Sequence, residues 1–380
     1  MSVRQRLAIL GPAPPDRGGI AQLTERLARE LARTGAVSYF TYSRKYPRWL
    51  DPRRFAEFEP RAASPAVPIL DWRSPSTWRR AADAIARAQP EALIVPWWTA
   101  FWGLPVRAVL RRVGRLRPGL ARVLIVHNVE DHEGGWLHRF SSLGAFLAAD
   151  GFFVHSDWAR RSLERLVPGK PVAVAPLAAH EAPPIDREAV RRRLGVDRPL
   201  VLFVGLIRLY KGVDLLLSAA PGIVRETGAV IAIVGESFPD AERVERQWRS
   251  SPVRSDILRL PEYQRPEQID EWLTACDVLV LPYRKIAGSA IAARALALRC
   301  PIAASRVGAL AETVVPGLTG ELFDPGDAAG LVRAVRTVLD RGRSAYEPGL
   351  AAAAREASWE SYAGKLRSFA GSLSSAVSGR

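Results

Sequence analysis

The sequence predicts an α/β protein of two Rossmann-like domains, and three observations support this. Short apolar segments alternate with amphipathic ones, which is the pattern of parallel strands joined by helices. A strand, a glycine-containing loop and a helix open each half, and 380 residues are more than one hydrophobic core usually serves. Ligands of such sheets bind outside the carboxyl ends of the strands, so we expect the two domains to face each other across a cleft.

The first domain is expected over residues 1–177. Its opening strand is Arg6–Leu10, which is followed by the loop Gly11–Gly19 and a helix near Ile20–Thr34. Further strands are predicted at Val37–Tyr42, Ala92–Pro96, Arg122–His127, Gly151–His155 and Pro171–Ala175.

The second domain is expected over residues 178–355, after a segment at 176–199 that is rich in proline and then in charge and resembles a hinge. Its first strand is Leu200–Gly205. The other strands are predicted at Ala229–Val234, Ile257–Leu260, Val278–Leu281 and Ile302–Ser305.

The formal charge is +15, of which residues 1–177 carry +12. This asymmetry favours an anionic partner, either lipid headgroups or nucleic acid, although an arginine-rich proteome explains the same charge without a partner. The sequence has no zinc-finger, basic-zipper or RNA-recognition signature, so we expect no nucleic acid. Two cysteines, no secretory leader and no apolar run long enough to span a bilayer favour a cytoplasmic protein that touches a membrane at most from its surface.

The loop that opens the second domain, Gly205–Gly212 (GLIRLYKG), is suited to phosphate rather than to a dinucleotide. It lacks the G-x-G-x-x-G spacing of nicotinamide sites, as does the proline-rich loop of the first domain. Arg208 offers a fork of donors and Lys211 a point charge, which together suit a diphosphate. Two cations in a loop are also common on solvated surfaces.

The same loop, followed by a leucine-rich helix, resembles the donor-binding segment of family 4 retaining glycosyltransferases, which have the GT-B fold. Other segments resemble blocks of that family in the same order: Gly18–Ile20, Val234–Glu236, Ala275–Pro282, Val307–Val314, Gly317–Asp327 and Ser358–Glu360. The resemblance implies a nucleoside-diphosphate sugar donor on the second domain and the acceptor on the first. It also implies a C-terminal helix, at 356–375, that packs back on the first domain.

The chain departs from this family where two glutamates usually stand eight positions apart, the second of them contacting the ribose. Those positions hold Ile286 and Arg294 here, which leaves recognition of the ribose, and so the identity of the nucleotide, open. A narrower branch of bacterial sugar transferases, which the chain resembles at Ser43–Pro47, Trp97–Trp98, His127–Glu133 and Pro282–Arg284, also commonly lacks the pair. Ser289 is the predicted N-cap of a helix at Ala290–Leu298, whose first-turn amides would face a phosphate.

The resemblance implies three catalytic residues, His127, Arg208 and Lys211, and a donor site made of Gly18, Gly19, Gly205, Arg208, Lys211, Ser289, Ala290 and Glu312. Several of these have plainer explanations. His127 can be a strand-end histidine bonded to backbone, Glu312 can cap its own helix, and Gly18 and Gly19 can form an ordinary tight turn.

No metal site is expected. The sequence has no Asp-x-Asp motif, and His127, His132 and Glu133 are too few and too close to hold a metal ion. No carboxylate is placed to act as a nucleophile, so retention of the anomeric configuration is implied by the resemblance alone.

Residues 105–117 predict an amphipathic helix with Val106, Val109, Leu110, Val113 and Leu116 on one face and five arginines on the rest. It either packs on its own sheet with a solvated arginine face or lies on an anionic membrane surface near a lipid-linked acceptor. In the second case the tryptophans and arginines Trp72, Trp78, Arg79, Arg80, Trp97, Trp98 and Trp102 could join it.

The function expected from the sequence is transfer of a sugar from a UDP- or GDP-sugar to a polysaccharide or lipid-linked acceptor, with retention and without metal. The alternative is a catalytically degenerate GT-B scaffold that binds a nucleotide-sugar or a partner. An epimerase or phosphorylase on the same fold is a further alternative, but no lysine signature for pyridoxal phosphate supports a phosphorylase.

Overall fold

A computed structural model of the chain describes residues 5–16, 19–46, 64–129, 136–178, 184–238 and 241–379. The chain divides into two compact units, one made of residues 1–175 with 359–380 and the other of residues 176–358. Each unit is built on one parallel sheet.

The sheet of the first unit has the strand order β3-β2-β1-β4-β5-β6-β7 in the described residues, with all neighbours parallel. Its strands are β1 (Arg6–Leu10), β2 (Ala36–Arg44), β3 (Val67–Asp71), β4 (Ala92–Trp97), β5 (Ala121–Val126), β6 (Gly151–Val154) and β7 (Val172–Val174). The helices along this part of the chain are α1 (Gly19–Ala32), α2 (Pro75–Arg87), α3 (Gly103–Leu116), α4 (Trp136–Ala148) and α5 (Asp157–Leu166).

The sheet of the second unit has the order β10-β9-β8-β11-β12-β13 among the described residues, again parallel. The strands are β8 (Leu200–Val204), β9 (Val230–Val234), β10 (Ile257–Leu260), β11 (Val278–Leu281), β12 (Ile302–Ser305) and β13 (Gly320–Phe323). The helices are α6 (Arg187–Leu194), α7 (Val213–Thr227), α8 (Glu242–Arg249), α9 (Pro266–Ala275), α10 (Ala290–Ala297), α11 (Leu310–Thr313), α12 (Ala328–Arg341) and α13 (Glu347–Glu356).

A last helix, α14 (Trp359–Ser378), belongs to the first unit although it follows the second along the chain. Tyr362 is buried on it and packs edge-on against Phe153 of β6, with ring centroids 5.2 Å apart. Arg367 donates a 2.7 Å hydrogen bond to the carbonyl oxygen of Leu31 in α1. The core of the first unit is therefore completed by residues far away in sequence.

Most central strands lie where the apolar runs predict them, because strands buried on both faces appear as unbroken hydrophobic segments. The sequence analysis missed β3 and β13, which are the outermost strands of the described sheets on one side. β3 (VPILD) contains Pro68 and β13 (GELF) begins with Gly320, both residue types that are depleted in strands, so neither segment appears as an unbroken apolar run.

The prediction of a hinge at 176–199 was wrong for part of its length, because residues 187–194 form α6. Asp186 caps this helix by accepting a hydrogen bond from the amide of Ala189. Arg187 and Arg191 both donate to the carboxylate of Asp277, which also accepts a 2.7 Å bond from the amide of Leu200. The charged residues Arg187 and Arg191 therefore attach α6 to the second unit, and this part of the segment is not a solvated linker.

We predict that Asp277→Ala lowers the free energy of unfolding by roughly 2–3 kcal/mol, because two guanidinium groups and one amide lose their shared acceptor. Chemical denaturation monitored by circular dichroism measures the change. The matched control is Asp324→Ala, since Asp324 is 79% exposed and pairs with Arg306 only at 3.8 Å. Equal stability losses in the two variants would contradict the role given to Asp277.

Candidate functional site

The strand order of the second unit reverses between β8 and β11, and ligands of open parallel sheets bind beside such a reversal. The loop Gly205–Gly212 leaves β8, and the segment from Pro282 to Ser289 leaves β11. The two meet at Gly212, where φ is +67° and a Cβ atom would lie 1.9 Å from the carbonyl oxygen of Pro282. Only glycine fits there, and the contact fixes the loop at the carboxyl edge of the sheet.

Lys211 ends the short 3-10 turn Leu209–Lys211 and carries its charge into a desolvated position. Its ammonium nitrogen lies 5.5 Å from the centroid of the Tyr283 ring and close over the backbone of Gly205. No carboxylate of the described residues forms an ion pair with it. Burial and the nearby charge of Arg208 lower the pKa of Lys211 to about 8. An anion bound here would supply the negative charge that no carboxylate of the described residues provides for Lys211.

Arg208 precedes this turn and is supported by the next strand-end loop. Its guanidinium carbon lies 4.4 Å from the centroid of the Phe238 ring. The backbones are joined as well, because the amide of Ile207 donates to the carbonyl of Glu236 at 2.8 Å and the amide of Phe238 donates to the carbonyl of Ile207 at 3.0 Å. Arg208 and Lys211 therefore both lie on short backbone segments that are fixed by hydrogen bonds.

Arg284 stabilises the same turn by hydrogen bonds, a role that the sequence analysis did not predict. Its amide donates to the carbonyl of Tyr210 at 2.8 Å, and its guanidinium donates to the carbonyl of Leu209. The guanidinium also pairs with buried Asp214 of α7 at 2.6 Å. Arg284 stands in the Pro-Tyr-Arg motif of the sequence, but nothing in the motif indicates that it supports the loop after β8.

Ser289 is the N-cap of α10, as predicted, because its hydroxyl accepts a 3.2 Å hydrogen bond from the amide of Ala292. Its side chain also hydrogen-bonds with Tyr283, the ring beside Lys211. Ala290 is exposed in the first turn of the helix. The structure thus brings Gly205, Lys211 and Ser289 together around Tyr283.

The two positions of the missing glutamates have structural roles of their own. Arg294 pairs with Asp270 and donates to the carbonyl of Pro266 at 2.8 Å, and both ionic side chains are largely buried. The carbonyl of Ile286 accepts a 3.3 Å bond from the amide of Ala309 in the loop after β12. A charge at position 294 is therefore engaged inside the second unit.

Glu312 lies exposed on α11, which follows the loop that contacts Ile286. Its assignment to the donor stays a prediction.

Of the glycines predicted in the first unit, Gly18 lies outside the described residues. Gly19 begins α1 without a positive φ, and a Cβ atom there would meet nothing within 4 Å. The fold of the described residues does not require glycine at this position.

His127 follows β5 and is buried, and its amide donates to the carbonyl of Trp97 at 2.8 Å. Its Nδ1 lies 3.1 Å from Nε2 of His155, which follows β6. Burial lowers the pKa of His127 well below its ordinary value, and the neighbouring His155 lowers it further. Sequence reasoning missed His155, although both histidines come directly after a buried strand. His132 and Glu133 lie outside the described residues.

The helix predicted at 105–117 is α3, which is buried at Val106, Val109, Leu110 and Val113. Leu116 was wrongly placed on this buried face, because it is 43% exposed. Trp97 and Trp102 are core residues, and Trp98 donates a 2.9 Å hydrogen bond to the hydroxyl of Tyr46. These three rings therefore pack within the unit.

Within the described ranges, no group of three or more His, Cys, Asp or Glu side chains is arranged to hold a metal ion. None of the helices in that part of the chain combines the length and the apolar character needed to cross a bilayer.

Comparison with known families places the matched region over the second unit. Residues 198–341 match the family of group 1 glycosyl transferases. This region contains the loop Gly205–Gly212, the Ser289 cap and Glu312.

Curated relatives with sequence similarity are sugar transferases by name. A D-inositol 3-phosphate glycosyltransferase of Xylanimonas cellulosilytica is 32% identical over 185 residues, which cover 47% of this chain and 44% of the relative. The chain spans about half the length of the relatives that it matches first, from 41 to 52%. A GDP-mannose-dependent alpha-(1-6)-phosphatidylinositol monomannoside mannosyltransferase of Mycolicibacterium smegmatis is 27% identical, covering 91% of this chain and 92% of the relative.

Among solved structures, the sucrose-phosphate synthase of Thermosynechococcus elongatus has a TM-score of 0.76 at 21% identity. The alignment covers 98% of this chain and 100% of that one. The fold class predicted from the sequence, α/β with two Rossmann-like GT-B domains, is confirmed.

The lowered pKa of Lys211 predicts a pH dependence for binding of a nucleoside diphosphate. The lysine is charged below pH 8 and loses its proton above it, so affinity should be constant between pH 6.5 and 7.5 and fall about tenfold per pH unit above 8. Calorimetry with UDP and GDP should also show proton uptake near pH 8. Lys211→Arg should abolish both effects, because a guanidinium stays charged. Wild-type affinity that is constant up to pH 9.5 would contradict the assignment of Lys211.

Proposed function

We propose that the chain is a glycosyltransferase that moves a sugar from a UDP- or GDP-sugar to a polysaccharide or lipid-linked acceptor. The second unit takes the donor and the first takes the acceptor. The observation that carries the proposal is the desolvated ammonium of Lys211, without a carboxylate partner among the described residues, beside Arg208 at the strand-order reversal. The match of the same region to group 1 glycosyl transferases supports it.

Glycosyl transfer makes the sugar positively charged while the nucleoside diphosphate leaves with extra negative charge. Lys211 and Arg208 would stabilise that leaving group, and the first-turn amides of α10, capped by Ser289, would add donors and the positive end of a helix dipole. We propose that these groups act without a metal ion. His127 would hydrogen-bond to the sugar that is transferred, and retention of configuration is proposed from the family resemblance.

Recognition of the ribose would differ from that in the resembling family. The guanidinium of Arg294 is engaged by Asp270, so this position contributes no carboxylate to a ribose hydroxyl. We propose that Glu312 and the backbone of the loop after β8 hold the donor instead of that carboxylate. A protein that binds a nucleotide-sugar without turning it over is the second candidate, and the two missing glutamates favour it.

We predict that wild-type protein releases a nucleoside diphosphate from at least one UDP- or GDP-sugar when a suitable acceptor is present. Lys211→Ala should lower kcat/KM about 10²- to 10³-fold, because a charge that stabilises the leaving group is removed. The measurements are a thermal-shift screen with UDP, GDP, ADP and TDP and then a coupled assay of nucleotide release. Lys365→Ala, which removes an exposed lysine of α14, is the matched control and should keep wild-type activity.

The outcomes separate the two candidates. Nucleotide binding without turnover across sugar donors and acceptors would support the scaffold. Absence of binding to every nucleotide would contradict both candidates, and equal activity of Lys211→Ala and wild type would mean that the loop does not hold the donor.

We also propose that the first unit meets an anionic membrane surface through α3. Leu104, Arg111 and Arg115 are exposed at positions that share one face of that helix, and Leu116 lies exposed beside them. Arg112, by contrast, is held by Asp83 at 2.7 Å and faces α2. Exposed leucines beside arginines are the combination that binds lipid headgroups and the acyl boundary.

We predict that the protein co-sediments with vesicles containing anionic lipid at low salt. The double variant Arg111→Glu with Arg115→Glu should weaken this binding at least tenfold, since each cation near the surface contributes about 1 kcal/mol. Arg192→Glu with Arg225→Glu makes the same change of charge on the second unit and should bind like wild type. Sedimentation that is equally lost in both double variants would indicate a net-charge effect and contradict a specific surface.

A further inference from the structure

The two histidines of the first unit are neighbours because of strand register. Ile125 of β5 pairs with Phe153 of β6, so that His127 and His155, two residues further along each strand, come to lie side by side at the carboxyl edge. Their ring centroids are 4.9 Å apart, and Nδ1 of His127 and Nε2 of His155 are 3.1 Å apart. This is the distance of a hydrogen bond, in which one ring donates and the other accepts.

The C-terminal helix holds the ring of His155. Tyr362 of α14 stacks on it, with centroids 5.9 Å apart and planes at 26°. Tyr362 is itself wedged between Phe153 and Trp359 by edge-on contacts. The ring of His155 therefore packs on Tyr362, whose own position is fixed by Phe153 and Trp359.

Both rings are neutral at ordinary pH and each carries one N–H, but only one of these two protons lies in the hydrogen bond between them. Burial lowers the pKa of His155 to about 4, with a contact from the backbone of Ala175 acting in the opposite direction. Burial and the neighbouring ring also lower the pKa of His127 well below its ordinary value. Since only one ring can donate into the shared bond, the tautomer of each histidine depends on the tautomer of the other.

One nitrogen of His127 is left over. Its Nε2 is buried, and no hydrogen-bond partner for it occurs in the described residues. Buried polar atoms are normally paired, and an unpaired one costs stability unless a ligand uses it. Nδ1 of His155 is likewise buried without a hydrogen-bond partner in the described residues, so each ring of the pair keeps one unused nitrogen.

We propose that His155 is a positioning residue for His127: their hydrogen bond fixes the ring plane and the tautomer of His127, so that Nε2 is presented to a hydroxyl of the transferred sugar. This inference rests on the proposed function, in which His127 contacts the sugar. His155 itself touches no substrate, and it acts through the shared proton.

Two variants of His155 separate positioning from packing. His155→Phe keeps an aromatic ring against Tyr362 and removes the hydrogen bond. His155→Gln loses the stack but can place an amide nitrogen or oxygen near the position of Nε2. Positioning predicts that the Phe variant loses about ten- to a hundredfold in kcat while its Kd for the nucleotide stays within twofold, and that the Gln variant stays within about fivefold of wild type. A packing role predicts the opposite order, with Phe tolerated and Gln damaging.

A double-mutant cycle with His127→Phe tests whether the two residues act as one unit. If His155 works through His127, the double variant His127→Phe with His155→Phe should be no slower than His127→Phe alone. Losses that multiply would mean that His155 acts independently and would overturn the proposal.

Nitrogen NMR of the histidine rings gives a readout that does not need activity. The chain has five histidines, so the signals of His127 can be assigned by substitution. One tautomer of His127 is expected in the wild type and a mixture in His155→Phe. Unchanged ring signals would overturn the inference, whether or not transfer is observed. A wild-type protein that releases no nucleotide would instead overturn the proposed function.

Discussion

The carbonyl of Pro282 and the backbone of Gly212 approach each other so closely that no side chain fits between them. This contact joins the loop Gly205–Gly212 to the segment that leaves β11. The 3-10 turn before Gly212 is pressed against the segment after β11, which puts Lys211 beside Tyr283, and Arg284 of that segment reaches back to the turn's carbonyls. A lysine in an ordinary surface loop extends into water, whereas the ammonium of Lys211 lies against Tyr283 and the backbone of Gly205.

Lys211 and His127 are both basic groups whose pKa values are lowered by desolvation. In the second unit an ammonium group is desolvated beside another cation, and in the first unit an imidazole is desolvated beside another imidazole. Each group has a higher free energy in the ligand-free protein than in water, because it is desolvated there. Each can still interact with a polar ligand. Arg294 and Asp270 show the contrast, because there both charges are satisfied within the fold and little capacity remains.

Much of the fold was predictable because buried parallel strands leave continuous apolar runs. The predicted bounds of β1, β10, β11 and β12 agree with the structure residue for residue, whereas the edge strand β13 and the charged helix α6 gave no such signal. Ser289 was recognisable as a cap from its position before an alanine-rich segment. Arg284 and His155 were not recognisable, because their partners, the carbonyl of Leu209 and the ring of His127, are distant in sequence and meet them only through sheet topology. Whether the charge of Lys211 has a carboxylate partner likewise depends on tertiary packing, which the sequence does not show.

The return of α14 to the first unit has a consequence for the order of synthesis. Residues 1–175 leave the ribosome first and would ordinarily fold first, but their sheet lacks Tyr362 and Trp359 until the whole of the second unit has been made. During that interval Phe153 and His155 lack the aromatic ring of Tyr362, and contacts that span more than 200 residues of sequence form last. A chain interrupted between residues 213 and 358 therefore contains the loop Gly205–Gly212 but lacks Tyr362, which stacks on His155. Synthesis of α14, not folding of the first half alone, completes the first unit.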